Sequence, residues 1–313
     1  MSLQSEMHLY SPGHSGCPGC APSTTLITVA DFLGKDTIII NATGCMEITS
    51  SQYPNSAWRL PYMHSLFENA PSVASGVSAA LRAQGNDHTT VCVIAGDGST
   101  YDIGFGALSG MLERGDDVLY ITYDNELYAN TGVQKSSSTP FGAATNTSQA
   151  GKVHHGKETD RKPIVEIAAA HGIPYAASTN IAFTHDVRAK LKKAQSFKGG
   201  PRFLNIHAPC CLGAGFDGGI SMTVARLATQ TRMCPLFEVE NGNYKLSFNV
   251  KPAQKKPVEE YLKLQKRFAH LTPADVAEVQ RRTDKYWNHL MKLCDMPTDE
   301  EIAKAETDSK AKA

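Results

Sequence analysis

The chain has 313 residues, 31 basic and 31 acidic, so its formal net charge is zero; this excludes a nucleic acid or an anionic membrane surface held by bulk electrostatics. A hydrophobic share of 41% with 20% charged residues is that of a globular domain, with no apolar run near the roughly twenty residues of a spanning helix. No secretory signal is expected, and in a chain expected to be cytoplasmic the eight cysteines read as thiols or metal ligands rather than a disulfide scaffold.

Taken in order, residues 1–16 are polar and turn-rich and predict a surface arm. Cys17-Pro-Gly-Cys20 follows, then a helix over 23–33 that ends at Gly34. A buried strand over 36–41 runs into Ala42-Thr-Gly-Cys45. Residues 50–65 carry no periodicity. The small-residue run 69–82 predicts a helix packed closely on a sheet. A β-branched strand then ends in Gly96-Asp97-Gly98, and a helix over 103–112 leads to a strand over 118–123. Residues 126–162 are rich in Ser, Thr, Gly and Asn; so long a loop in a compact domain is usually functional, and its start adjoins Asn125. Helix 163–171, strand 173–178, helix 184–195 and strand 202–207 complete an alternation that predicts a doubly wound, mainly parallel α/β sheet. After residue 230 the pattern changes to a hairpin around 241–243, two amphipathic helices within 257–293 and a frayed, charged tail. The expected division is therefore 1–230 and 231–313.

Open parallel sheets bind ligands outside the carboxyl ends of their strands. Two successive predicted strands deliver Asp97 and, 28 residues later, Asn125 to such ends. Mg²⁺ takes about six oxygens and usually shares them with a phosphate. Asp97, Asn125 and the Leu127 carbonyl are the expected protein share, and the flanking glycines Gly96 and Gly98 let an anion come close. Cys17, Cys20, Cys45 and Cys210 come from three segments that could meet at one sheet edge, with Cys211 as the rival of Cys210. Four thiolates suit Zn²⁺ or an iron–sulfur cluster, and spacing alone does not separate the two.

Gly13-His14 with Cys17-Pro-Gly-Cys20, Asn41-Ala-Thr-Gly-Cys45, Ser65–Asn69, Gly96–Gly104, Asp124–Gly132, Ala150-Gly-Lys152 and His207-Ala-Pro-Cys210 together resemble the beta subunit of the 2-oxoacid:ferredoxin oxidoreductases, over residues 8–270. The likeness implies the thiamine diphosphate-binding type of fold. It implies thiamine diphosphate and Mg²⁺ at Thr43, Gly44, Cys45, Gly96, Asp97, Gly98, Ser99, Asn125, Leu127, Asn130 and Thr131, with Asn130 as the catalytic residue facing the reacting carbon. It implies a [4Fe–4S] cluster on Cys17, Cys20, Cys45 and Cys210. The closest likeness is to the pyruvate branch, but the flanking Ser15-Gly16 and Ala21, and the stretch 209–213, depart from the pyruvate enzymes, and a related branch oxidises oxalate; the expected substrate is a pyruvate-type 2-oxoacid or oxalate.

The resemblance also implies an alpha-type subunit that completes the thiamine site, a ferredoxin-like cluster subunit, ferredoxin as acceptor, and coenzyme A if the substrate is a 2-oxoacid. The competing readings are a non-redox thiamine diphosphate lyase or carboligase with structural zinc, and a scaffold subunit with a decayed site. His154 and His155 read as a solvated loop; His14 and His64 read equally as packing or as substrate contacts. Gly213-x-Gly215-x-x-Gly218 matches the dinucleotide fingerprint literally but lacks the helix start that fingerprint needs.

Overall fold

The computed structural model describes residues 8–312. Eight strands, β1 (Thr37–Ala42), β2 (Tyr62–Ser65), β3 (Thr90–Gly96), β4 (Leu119–Asp124), β5 (Tyr175–Asn180), β6 (Arg202–His207), β7 (Leu236–Glu240) and β8 (Asn243–Phe248), form one sheet in the order β2-β1-β3-β4-β6-β5-β7-β8. The first six run parallel, whereas β7 is antiparallel to β5 and β8 to β7. The expected hairpin is thus an extension of the same sheet.

Helices cover both faces, which is why the parallel strands read as continuous apolar runs. Ile39, Cys92, Ile94, Ile121 and Leu204 pack on helices Ala21–Leu33 and Thr184–Ser196. Ile40, Val93, Tyr120 and Phe203 pack on helices Ala70–Ala83, Phe105–Glu113 and Ile164–Ala169. Each fully buried Ile, Val or Phe contributes about 1.5–3 kcal/mol of transfer free energy. The register sets Gly96 opposite Tyr123 and Asp124 opposite His207, so the loops after β1, β3, β4 and β6 emerge side by side.

Several local expectations change. The helix after Asp97 begins early, as a π-helical turn Gly98–Ile103 that precedes Phe105–Glu113; the Gly104 amide donates to the Ser99 carbonyl at 2.8 Å. Such wide turns cluster at functional sites. The stretch 50–65 supplies β2, an edge strand. Of the arm, residues 1–7 lie outside the described residues, and residues 9–11 are packed rather than on the surface: Tyr10 is fully buried against Trp58, ring centroids 5.0 Å apart. Residues 257–293 hold the short turns Glu259–Leu262 and Lys266–Phe268 and one long helix, Pro273–Leu293, started by a Thr272/Asp275 capping box. The tail is helical over Asp299–Lys312, not frayed from its start: the Thr298 amide donates to the Glu301 carboxylate at 2.7 Å, and Arg232 pairs with Asp299.

Candidate active site

Three oxygen-bearing groups converge where β3 and β4 end. The amide head of Asn125 lies 2.8 Å from Asp97 Oδ1 and 2.6 Å from the Leu127 carbonyl oxygen. With its nitrogen inward, the amide bridges the other two by hydrogen bonds; with its oxygen inward, three oxygens line a hard-cation site. The separations are those of hydrogen bonds from an inward nitrogen; they also match the roughly 2.9 Å between neighbouring ligands of an octahedral Mg²⁺, so a turn of the amide converts one arrangement into the other. Asp97 is 1% exposed, accepts a hydrogen bond from Ser136 Oγ, and forms no ion pair among the described residues. Burial, reinforced by nearby Asp124, pushes its carboxyl well above the usual range. A buried carboxylate of this kind is costly until a cation neutralises it. The donor set therefore fits Mg²⁺.

The serine-rich part of the long loop wraps this acidic floor. Ser136 donates to Asp97, Ser137 to Asp102, and Ser138 Oγ to Asp124 Oδ1 at 2.6 Å. Buried carboxylates need donors, and three consecutive hydroxyls serve the buried Asp97 and Asp124 and the half-buried Asp102. Glu126 anchors the next layer. Its backbone is left-handed (φ 69°), its side chain is buried, and Arg161, Arg267 and the Tyr261 hydroxyl all reach its carboxylate. Burial alone would raise its pKa, but Arg267 and Arg161 outweigh burial and bring it down to about 2. Arg161 also binds Asp124 at 2.7 Å. Asn125 is thus held between two anchored carboxylates, and Arg267 and Tyr261 tie this loop to the C-terminal part of the chain.

A cleft at the strand ends is lined by Thr43, Gly44, Cys45, Gly96, Asp97, Gly98, Ser99, Asn125, Leu127, Asn130 and Thr131, the full set of expected cofactor residues, together with Phe67, Tyr123, Tyr128 and Ala129. Within it Asn130 is exposed at the rim, Ser99 is tied to the Phe67 carbonyl, and Thr131 to Gln134. Gly98 has no room for a side chain: a Cβ there would stand 2.2 Å from the Tyr128 ring, whose hydroxyl donates to the Gly98 carbonyl at 2.8 Å.

Cys17, Cys20, Cys45, Cys210 and Cys211 are free thiols around the same edge. Burial pushes the Cys45 thiol to about 12 and the Cys210 thiol to about 11, and neighbouring thiols add to both. Cys45 has Cys210, Cys20 and Cys17 as thiol neighbours, and Cys210 and Cys211 both have Cys17 among theirs. Yet no three His, Cys, Asp or Glu side chains among the described residues close into a metal cage. The thiols are gathered, not assembled. The glycines of the fingerprint-like stretch serve packing: Gly218 is pressed against Pro18 and Gly19, where a Cβ would lie 2.4 Å from the Pro18 carbonyl oxygen.

Residues 42–206 match the family described as thiamine pyrophosphate enzyme, C-terminal TPP binding domain. The chain is 47% identical over 283 residues to the pyruvate synthase subunit PorB of Methanocaldococcus jannaschii, covering 88% of this chain and 94% of that one. It is 43% identical over 301 residues to the ketoisovalerate oxidoreductase subunit VorB of Pyrococcus furiosus, covering 95% and 96%. The chain belongs to the 2-oxoacid:ferredoxin oxidoreductase family, as a beta-type subunit. A 2-oxoglutarate:ferredoxin oxidoreductase from Magnetococcus marinus shares the fold, with a TM-score of 0.54 at 22% identity over 68% of this chain and 77% of that one. As members of this family are, the protein is a thiamine diphosphate-dependent oxidoreductase subunit. No helix among the described residues is long and apolar enough to cross a membrane.

Sequence reasoning missed the layer behind the beta subunit's cleft. Arg161 and Arg267 carry no spacing signal, because they reach Glu126 from distant segments. His64 links Thr43, whose hydroxyl lies 2.9 Å from its Nε2, to buried Glu47, 3.7 Å from its Nδ1. His14 accepts from the Gly16 amide, exposed His154 pairs with Glu158, and His155 caps the Asp275 end of the long helix at 2.9 Å.

Proposed function

We propose that this subunit holds Mg²⁺ and thiamine diphosphate in a hetero-oligomer that oxidatively decarboxylates small 2-oxoacids of the pyruvate or ketoisovalerate kind and passes the electrons to ferredoxin, with coenzyme A as acyl acceptor. The observation that carries this reading is the convergence of Asp97, Asn125 and the Leu127 carbonyl at the ends of β3 and β4. Relatives named for pyruvate and ketoisovalerate support the substrate class. Bound in the cleft, thiamine diphosphate supplies a nucleophilic carbon and an electron sink for loss of CO₂. The chain's own part is to hold Mg²⁺ on Asp97, Asn125 and Leu127, and to line the cofactor with Thr43, Gly44, Cys45, Gly96, Gly98, Ser99 and Thr131. At the rim, Asn130 donates a hydrogen bond to the oxygen that gains charge on the substrate.

Exposed apolar side chains beside the cleft segments, Ile48, Met63, Leu66, Ile103 and Leu212, support an alpha-type partner closing the site. The anaerobically purified complex is expected to reduce viologen with pyruvate and ketoisovalerate, and the beta subunit alone to show no turnover. Activity with oxalate only, or full activity of the isolated chain, overturns the proposal.

We further propose a [4Fe–4S] cluster on Cys17, Cys20, Cys45 and Cys210. Support comes from the donor chemistry, from the shared sheet edge, and from the Gly213 amide donating to Cys210 Sγ at 3.3 Å. Cys20→Ser and Cys210→Ser, neither of which lines the cleft, are expected to lower the iron count of the complex by about four per subunit and to erase one reduced-cluster resonance, leaving bound thiamine diphosphate in place. One zinc per chain and unchanged iron would favour the non-redox lyase instead.

A further inference from the structure

Away from the cleft, the structure contains a cavity of about 550 Å³ between the long helix Pro273–Leu293 and the sheet. A small-molecule site typically has about 300–1,000 Å³, an apolar lining and a few convergent polar groups. Phe141, Ile164, Val165, Pro235, Phe237 and Val279 give this cavity its apolar wall. Six cationic side chains and two acidic ones line it, in a chain of zero formal net charge.

Four of the cations are already matched: Arg161 to Asp124 and Glu126, Arg232 to Asp299, Arg281 to Glu278, and Arg282 to Asp160 and Glu278. Two are not. Lys162 donates to the Tyr101 carbonyl and stands over the Phe105 ring at 4.7 Å, and exposed Lys285 has no acidic partner among the described residues. Of the two acids, Glu166 accepts from the Tyr286 hydroxyl at 2.8 Å, and burial raises its carboxyl toward the neutral form. Asn205, 5% exposed, also lines the cavity; its amide nitrogen donates to Asp124 at 3.1 Å while its Oδ1 has no partner. That acceptor calls for a donor and not for an anion, so the anionic end of a ligand belongs at the lysines.

We propose that this cavity is a second binding site of the subunit, for a small organic anion with an apolar, ring-sized body, the body on the Phe141/Val165/Phe237 wall and the anionic group toward Lys285 and Lys162. The site is separate from the cofactor cleft: no residue lines both. It stands whether or not the substrate assignment does.

The test uses the intact complex and two fluorescent probes with the same aromatic body, 1-anilinonaphthalene-8-sulfonate and N-phenyl-1-naphthylamine, which lacks the sulfonate. The sulfonate is expected to bind saturably, one per beta subunit, with blue-shifted emission. Val165→Phe, which fills the cavity, is expected to weaken both probes at least tenfold. Lys285→Glu, an exposed position whose substitution leaves the core intact, is expected to weaken the sulfonate about fivefold and the neutral probe less than twofold. Absence of saturable binding, indifference of both probes to both variants, or equal weakening of the two probes by Lys285→Glu would overturn the proposal.

Discussion

Asp97→Asn is expected to deprive the complex of Mg²⁺ and thiamine diphosphate while making the cofactor-free subunit more stable. The dissociation constant for thiamine diphosphate in excess Mg²⁺ should rise at least about a hundredfold, near 2.7 kcal/mol, with turnover falling to background. The opposite sign for stability follows from the folded-state pKa, which burial and Asp124 raise. In the unfolded chain this carboxyl ionises near its ordinary value. In the folded chain it resists, so a penalty grows with pH between the two pKa values and is present at neutrality. Asparagine removes the charge and with it the penalty, but also the ligand that makes the charge useful. Cofactor binding by isothermal titration and the melting temperature of the cofactor-free protein read the two effects separately. Binding within threefold of the parent would refute Asp97 as a metal ligand.

Glu126→Gln is expected to have the largest effect on stability. It leaves Arg267 without a counter-charge in the interior and Arg161 with Asp124 alone. Removing one partner of a buried ion pair costs about 3–5 kcal/mol, which for a chain of this length is about 5–8 °C in melting temperature. The dependence on acid is distinctive. The folded pKa of Glu126 is depressed to about 2, so its contribution is complete above the unfolded carboxyl value and disappears as pH falls toward 2. Urea midpoints of parent and variant should therefore converge on acidification from pH 5 to pH 2. A gap that persists unchanged would mean that the carboxylate's shape, not its charge, carries the effect.

Much of the cofactor edge was legible in the chain because it is local. A β-branched run that stops at Gly-Asp-Gly, and a second that stops at Asp-Asn-Glu, declare two strand ends, and the parallel register then sets those ends together. Thr298-x-x-Glu301 and Thr272-x-x-Asp275 were equally readable as helix starts; charge density hid the first, and the irregular run 257–272 blurred the second. The π-helical turn at Gly98–Ile103 has no composition signal, since it arises where Gly104 approaches the Ser99 carbonyl. The Glu126 cluster was illegible for a different reason. Its members come from residues 126, 161, 261 and 267, and only tertiary packing relates them. Glu126 itself carries no mark of the left-handed backbone that a glycine or asparagine would have announced.

The bonds from Arg267 and Tyr261 to Glu126 alter how the chain past residue 230 should be regarded. Where the strand–helix alternation stops, a designer seeking a minimal catalytic unit would be tempted to cut. The cut would take away the struts that brace the turn bearing Asn125, and would remove the enclosed Leu236 and Phe237 along with the strand that covers the β5 edge. What looks like an appendix in the primary structure works as the buttress of the Asn125 turn, so shortening and inactivation should arrive together.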